Sequence, residues 1–221
     1  MLFAKSADTS QVEVINDRND ELVNFWRCLR DHRLELIDKL RFRLLSQRDF
    51  YRVRDRKTVE NMSEIDRAAE FYWTIKMSFG GKRGHRSTFG YAKKGGTKPR
   101  FNLKDHVLST LEAAQARLAE VYIFNEDFEA VMARFDSSKT FFYADPPYYG
   151  CETAYDVDFA GQHERLAERL RTVKGRFLMS YNEHPEVRRL YSWAKIDSVD
   201  TRYSVSKLTS NKTTELLIQN Y

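Results

Sequence analysis

The chain is short of the residues that staple, anchor or loosen a fold. Only two of its 221 residues are cysteines, Cys28 and Cys151, far apart and forming no C-x-x-C. Neither a disulfide framework nor a zinc site is expected from them, and Cys151 reads as a plain free thiol. The five histidines (His32, His85, His106, His163, His184) are scattered without ligand spacing, so no metal is expected. No apolar stretch approaches the roughly 20 residues of a membrane span. The first residues lack the basic start and apolar run of a signal peptide, which makes a cytoplasmic protein without a membrane partner the expectation. Glycine is scarce outside one window: six of the nine lie between residues 76 and 104, and none precedes Gly80.

That same window lacks acids altogether. From Lys76 to Lys104 there are nine Lys or Arg and no Asp or Glu, so the remainder of the chain carries 28 basic against 32 acidic residues. The net charge of +5 is therefore local. Phe79, Phe89, Tyr91 and Phe101 are interleaved among the charges. A glycine-rich, basic, aromatic-dotted loop has the makeup of a segment that follows a phosphate backbone and presents rings to bases. On that reading Lys82, Arg83, Arg86, Lys93, Lys94, Lys98 and Arg100 bind nucleic acid; the alternative is a solvated, flexible surface loop.

Hydrophobic residues make up 42% of the chain, enough for a real core. Val12 to Asp17 reads as a short strand, and Leu22, Phe25, Trp26 and Leu29 follow at the i, i+3, i+4, i+7 spacing of a one-sided helix. A second helix is expected from Arg33 to about Leu45, then a charged connection. Ser63-Glu64-Ile65-Asp66 is a capping-type start for a helix that runs into the basic loop, and another helix begins near Asn102. Beyond it strands and helices alternate: strands at 121–124, 140–144, 177–180 and 215–218, helices at 127–135, 162–172 and 185–191. Such alternation predicts a mostly parallel sheet covered on both faces, with ligands at the carboxyl ends of its strands. Asp17, Asp127 and Asp145 fall at such ends.

The most informative string is Asp145-Pro146-Pro147-Tyr148, at the end of the apolar run Thr140–Ala144. Each proline fixes φ near −65° and has no N–H, so the turn is stiff and offers acceptors without competing donors. An amino group conjugated to a planar base is a poor nucleophile. If the Asp145 carboxylate and the Pro146 carbonyl both accept from it, its nitrogen is biased toward a tetrahedral geometry with a localised lone pair. Tyr148 could then stack on the face of the base.

This string resembles the catalytic motif of amino-directed DNA methyltransferases. In order along the chain, VEVIND, DRAAEFYWTIKMSFGGK, FGY, FNEDF, FFYADPPYYG, FLMSYNEHPEVRRLY and TELLIQNY resemble the Dam-like, DPPY-type adenine-specific DNA methyltransferases over nearly the whole length. The resemblance implies an α/β fold: a Rossmann-like methyltransferase sheet, incomplete at the N-terminus, with an inserted, mainly helical target-recognition subdomain. Residues 1–49 would be a partial core, 50–104 the insert with its basic loop, and 105–221 the rest of the core. It implies transfer of a methyl group from S-adenosylmethionine to the 6-amino group of adenine in DNA, in a phage or bacterial restriction-modification setting. By resemblance, Asp145, Pro146, Pro147 and Tyr148 are catalytic, and Asp17 accepts the ribose hydroxyls of the cofactor. Asp127 and Phe128 lie beside the cofactor's adenine. For Asp17 the alternative is helix capping, and for Asp127 and Phe128 capping plus core packing. Ser180-Tyr181-Asn182 either lines the base pocket or makes ordinary strand-end hydrogen bonds.

The family pattern also calls for a first strand, a glycine-rich turn and a helix ahead of VEVIND. Eleven residues precede Val12, and the first glycine is Gly80. A truncated form, a late start codon, or a split enzyme whose glycine-rich turn sits on a separate polypeptide each accounts for this. The alternatives to an enzyme are a non-catalytic DNA-binding remnant or subunit. An amino-methyltransferase for RNA or protein is a further alternative.

Overall fold

Polar caps start the helices and apolar stripes turn them inward. The computed structural model describes residues 2–6, 12–41, 43–55, 61–79, 87–91, 106–152, 159, 161–202 and 212–221. They fall into two compact units, Met1–Glu126 and Asp127–Tyr221. In the first, β1 (Glu13–Asn16) leads into α1 (Asp20–Asp31), α2 (Arg33–Arg41), α3 (Gln47–Arg54), α4 (Glu64–Met77), α5 (His106–Leu118) and β2 (Val121–Phe124). The strands pair in parallel from Glu13 opposite Val121 to Asn16 opposite Phe124.

Asn19 caps α1 by accepting from the Glu21 and Leu22 amides, and Ser63 caps α4 by accepting from Asp66. Phe25, Cys28 and Leu29 of α1 are buried with Ala68, Ala69, Phe71, Trp73 and Met77 of α4. The Phe25 and Tyr72 rings stack 5.2 Å apart and 6° from parallel. Each fully buried large side chain here contributes roughly 1.5–3 kcal/mol by leaving water.

Two expectations change in this unit. The second helix ends at Arg41, short of Leu45, and the expected charged connection contains α3. Leu44 is 74% exposed, so it extends no apolar stripe, while Ser46 caps α3 through the Asp49 amide and Phe50 is fully buried. Phe50 of α3 and Trp73 of α4 lie in one core with Leu36 and Leu40 of α2 and with Leu111 and Leu118 of α5.

The second unit contains α6 (Phe128–Phe135), β3 (Phe141–Ala144), α7 (Gln162–Arg171), β4 (Arg176–Asn182), α8 (Pro185–Leu190), β5 (Lys195–Arg202) and β6 (Lys212–Gln219). Its sheet has the order β3-β4-β6-β5. β3 and β4 are parallel, Phe141 opposite Arg176 through Ala144 opposite Met179. β6 runs antiparallel to both β4 and β5, so the sheet is mixed where a mostly parallel one was expected. β5, unread in the sequence, supplies the difference by returning the chain through a β5–β6 pairing. Phe177, Met179, Tyr181, Leu216 and Ile218 are buried against Leu166 and Leu170 of α7 and Val187 of α8.

The turn into β4 is held tightly. The Asp136 carboxylate accepts from the amides of Lys174 and Gly175. A Cβ at Gly175 would meet the Thr140 carbonyl oxygen at 2.5 Å and that of Ser137 at 2.9 Å, a space only glycine fits. This clamp fixes the start of the β3–β4 pairing and hence the strand that delivers Asp145.

Candidate active site

β3 stops at Ala144 because prolines follow: neither Pro146 nor Pro147 can donate to a ladder. Asp145 is exposed, Pro146 buried, and Pro147 and Tyr148 half-buried. The Ser180 hydroxyl, on neighbouring β4, donates to Asp145 Oδ1 at 3.0 Å. The Tyr143 hydroxyl lies 3.2 Å from Ser180 Oγ. Ser180 has a single proton and gives it to Asp145, so Tyr143 is the donor in the second bond.

The Tyr148 ring stacks on Tyr181, with centroids 6.0 Å apart at 25°, and its hydroxyl donates to Glu215 Oε1 at 3.2 Å. Tyr181 is buried, and burial pushes its phenol well above the ordinary value, so it stays protonated. It is hydrogen-bonded to His163 Nδ1. His163, 4% exposed, reaches Glu152 Oε1 with Nε2 at 2.7 Å. The backbone N–H groups of Glu152 and Gly150, then His163, hold the Glu152 carboxyl below its usual range. A carboxylate has no proton to give, so His163 Nε2 is the donor, and in the neutral ring Nδ1 accepts from Tyr181. The chain Tyr181–His163–Glu152 thus fixes the ring on which Tyr148 rests.

Asn182 completes the support. Its side-chain oxygen accepts from the Tyr149 amide at 3.0 Å and its nitrogen donates to the Tyr149 carbonyl at 3.1 Å. The chain then turns, with the Cys151 amide donating to the Tyr148 carbonyl at 2.8 Å and Gly150 at φ +77°, where glycine is favoured. Ser180, Tyr181 and Asn182 therefore each hold one residue of the Asp145–Tyr149 segment, Ser180 and Asn182 by strand-end hydrogen bonds and Tyr181 by ring stacking.

The other expected site residues are placed as follows. Asp127 caps α6 by accepting from the Glu129 amide at 2.9 Å, and Arg165 lies 3.3 Å from its carboxylate. The same guanidinium stands 5.3 Å from the centre of the Phe128 ring, which also faces Phe159. Capping and packing are thus both present at that pair. Asp17 lies in the first unit, exposed, directly after β1. It does not cap α1; Asn19 does. Asp17 Oδ1 accepts from the Asn19 amide at 2.8 Å, and its carbonyl accepts from the Asn125 side chain at 2.7 Å. Lys82, Arg83, Arg86, Lys93, Lys94, Lys98 and Arg100 lie outside the described residues. Among the described residues no cluster of three His, Cys, Asp or Glu could hold a metal, and no helix is long and apolar enough to cross a membrane.

Glu152, His163 and Glu215 carried no signal in the sequence. Each is an isolated polar residue whose partner lies 11 to 67 positions away.

Comparisons with known proteins give the family. Residues 2–205 match the sequence model described as D12 class N6 adenine-specific DNA methyltransferase. The type II methyltransferase M.CviBI of Paramecium bursaria Chlorella virus NC1A is 26% identical over 218 residues, 95% of this chain and 81% of that protein. The type II methyltransferase M1.LlaDCHI of Lactococcus lactis subsp. cremoris is 27% identical over 230 residues, 96% of this chain and 80% of that protein. The chain belongs to the D12 class N6 adenine-specific DNA methyltransferases.

Proposed function

We propose that this methyltransferase acts through the corner Asp145, Pro146, Pro147 and Tyr148, on the 6-amino group of an adenine swung out of DNA. The observation that carries the reading is the Asp145 carboxylate, exposed at the carboxyl end of β3 and oriented by Ser180, next to a ring anchored on Tyr181. Asp145 and the Pro146 carbonyl accept from the amine and localise its lone pair; neither proline competes with a donor of its own. Tyr148 takes the face of the base. Stacking and backbone contacts offset an unpairing cost of a few kcal/mol.

S-adenosylmethionine, the usual donor of this family, supplies when bound an already activated electrophilic methyl group. Asp17 fits its ribose: an exposed carboxylate after a parallel strand can accept from two neighbouring hydroxyls at once. Asp127 and Phe128 are assigned to its adenine. The protein's contribution to rate is then orientation of the amine, since collinear reactants need little further activation.

DNA is taken to be gripped by residues 50–104, with Lys82, Arg83, Arg86, Lys93, Lys94, Lys98 and Arg100 on the phosphates and the described part of the insert mainly helical. We read β1 to β4 and their helices as parts of a Rossmann-like core in which no described strand is followed by a glycine-rich turn. A separate polypeptide bringing the glycine-rich turn is the partner this adds. In its favour, β3 ends its sheet with Phe141 and Tyr143 47% and 43% exposed, and no described strand pairs with its outer edge. The type II relatives support a restriction-modification setting; a phage or bacterial source and a cytoplasmic location are further parts of the reading.

Replacing Asp145 with Ala tests the reading. Methyl transfer to DNA should disappear while DNA affinity stays close to wild type; surviving methylation would show that another group activates the amine.

A further inference from the structure

We infer that Ser180 and Tyr143 form a donor relay that positions Asp145 for methyl transfer. This rests on the reading of Asp145 as catalytic and adds the two side chains that set its orientation. Ala144 lies opposite Met179 in the parallel ladder, so Asp145 and Ser180 are the next residues on each strand, one step past the last pairing. The Ser180 hydroxyl reaches Asp145 Oδ1 at 3.0 Å, and Tyr143 donates to Ser180 Oγ at 3.2 Å. Tyr143 and Asp145 are alternate residues and so share a face of β3.

Burial does not explain the tyrosine. Tyr143 is 43% exposed, whereas Ser180 is 9% exposed, so the outer ring is partly in water while its hydroxyl points to a nearly buried partner. A hydroxyl that already accepts one hydrogen bond is a stronger and less mobile donor in the next. The relay thus engages Oδ1, fixes the plane of the carboxylate, and directs its remaining acceptor capacity to the amine. Ser180 and Tyr143 are positioning residues: they act through the carboxylate, not on the base.

Single-turnover methyl transfer with saturating DNA and S-adenosylmethionine separates this role from a structural one. Ser180→Ala should slow transfer about 10- to 100-fold, as expected for a misplaced reacting group, with dissociation constants for DNA and cofactor unchanged. Ser180→Thr, which keeps the hydroxyl, should restore most of the rate. Tyr143→Phe should lose about threefold, and Ser180→Ala/Tyr143→Phe should be no slower than Ser180→Ala, because residues in one network are not additive. A wild-type rate in Ser180→Ala, a failed rescue by threonine, or additive losses would overturn the relay. If Ser180→Ala does not fold, Tyr143→Phe decides, and a wild-type rate there overturns it too. An Asp145→Ala arm keeps the two claims apart. Activity in that arm defeats the catalytic reading itself, whereas an inactive Asp145→Ala beside a fully active Ser180→Ala defeats the relay alone.

Discussion

Asp17 and Asp145 each follow the last residue of a parallel-paired strand, yet they are held by different means. The Asp17 carboxylate is set by main chain, Oδ1 accepting from the amide two residues on, while its backbone N–H donates to the Phe124 carbonyl on the paired strand. Asp145 is set by a side chain 35 residues away in sequence. A carboxylate fixed by main chain can tolerate changes in its surroundings and still present acceptors to a diol. One fixed by a hydroxyl on the next strand has its plane tuned by that strand, as suits a group whose angle to a reacting nitrogen sets a rate. On the proposed reading, this difference separates a cofactor-binding acid from a catalytic one.

Breaking the two acids in parallel should give opposite kinetic signatures. Asp145→Asn should lower kcat about 100- to 1,000-fold, the loss typical for a preorganised electrostatic partner of the reacting group, with cofactor affinity kept; steady-state kinetics and calorimetry read the two. Asp17→Asn should weaken cofactor binding about 10-fold, in keeping with one charge-assisted hydrogen bond, and leave kcat intact once the cofactor saturates. A drop in kcat for Asp17→Asn at saturation would erase the distinction.

The scaffolds beneath the two acids can be tested the same way. Gly175→Ala drives a Cβ against the Thr140 and Ser137 carbonyls and should destabilise the unit that carries Asp145 by about 1–3 kcal/mol, the usual cost of overpacking. Urea unfolding measures it. The strand that carries Asp17 is tied down by Glu13, whose carboxylate is bonded to Arg117 by two contacts of 2.6 Å and to Lys5. Arg117 first, then Lys5, lowers the Glu13 pKa from 4.5 to about 2. A depressed carboxylate pKa gives stability that is complete above pH 4.5 and is lost as pH falls through about 2. Solvent screening reduces it to on the order of 1 kcal/mol. Glu13→Gln should cost that much at neutral pH and flatten the fall in stability between those two pH values.

How much of this was legible follows the same division between local and distant causes. Strands β1, β2 and β3 are compact apolar or alternating strings, and the Ser63 cap is a four-residue signal, so their limits were readable to within a residue or so. α3 was not, because Gln47–Arg54 buries only Phe50 and reads as charge. β5 was not, because Lys195–Arg202 has no apolar run and becomes a strand only by pairing with β6, from Lys195 opposite Gln219 to Arg202 opposite Lys212. The corner Asp145–Tyr148 stands out in the sequence because its residues are contiguous. Ser180 could be noticed at a strand end, but His163, Glu152 and Glu215 could not be ranked among other polar residues until folding brought them within hydrogen-bonding distance.

Photocrosslinking tests the central claim most directly. In a duplex bearing the enzyme's own methylation site, the target adenine is replaced by 5-iodouracil, irradiated in the complex, and the attached peptide sequenced. Attachment is expected at Tyr148. Attachment at another residue, in a complex that still binds the duplex normally, would contradict it.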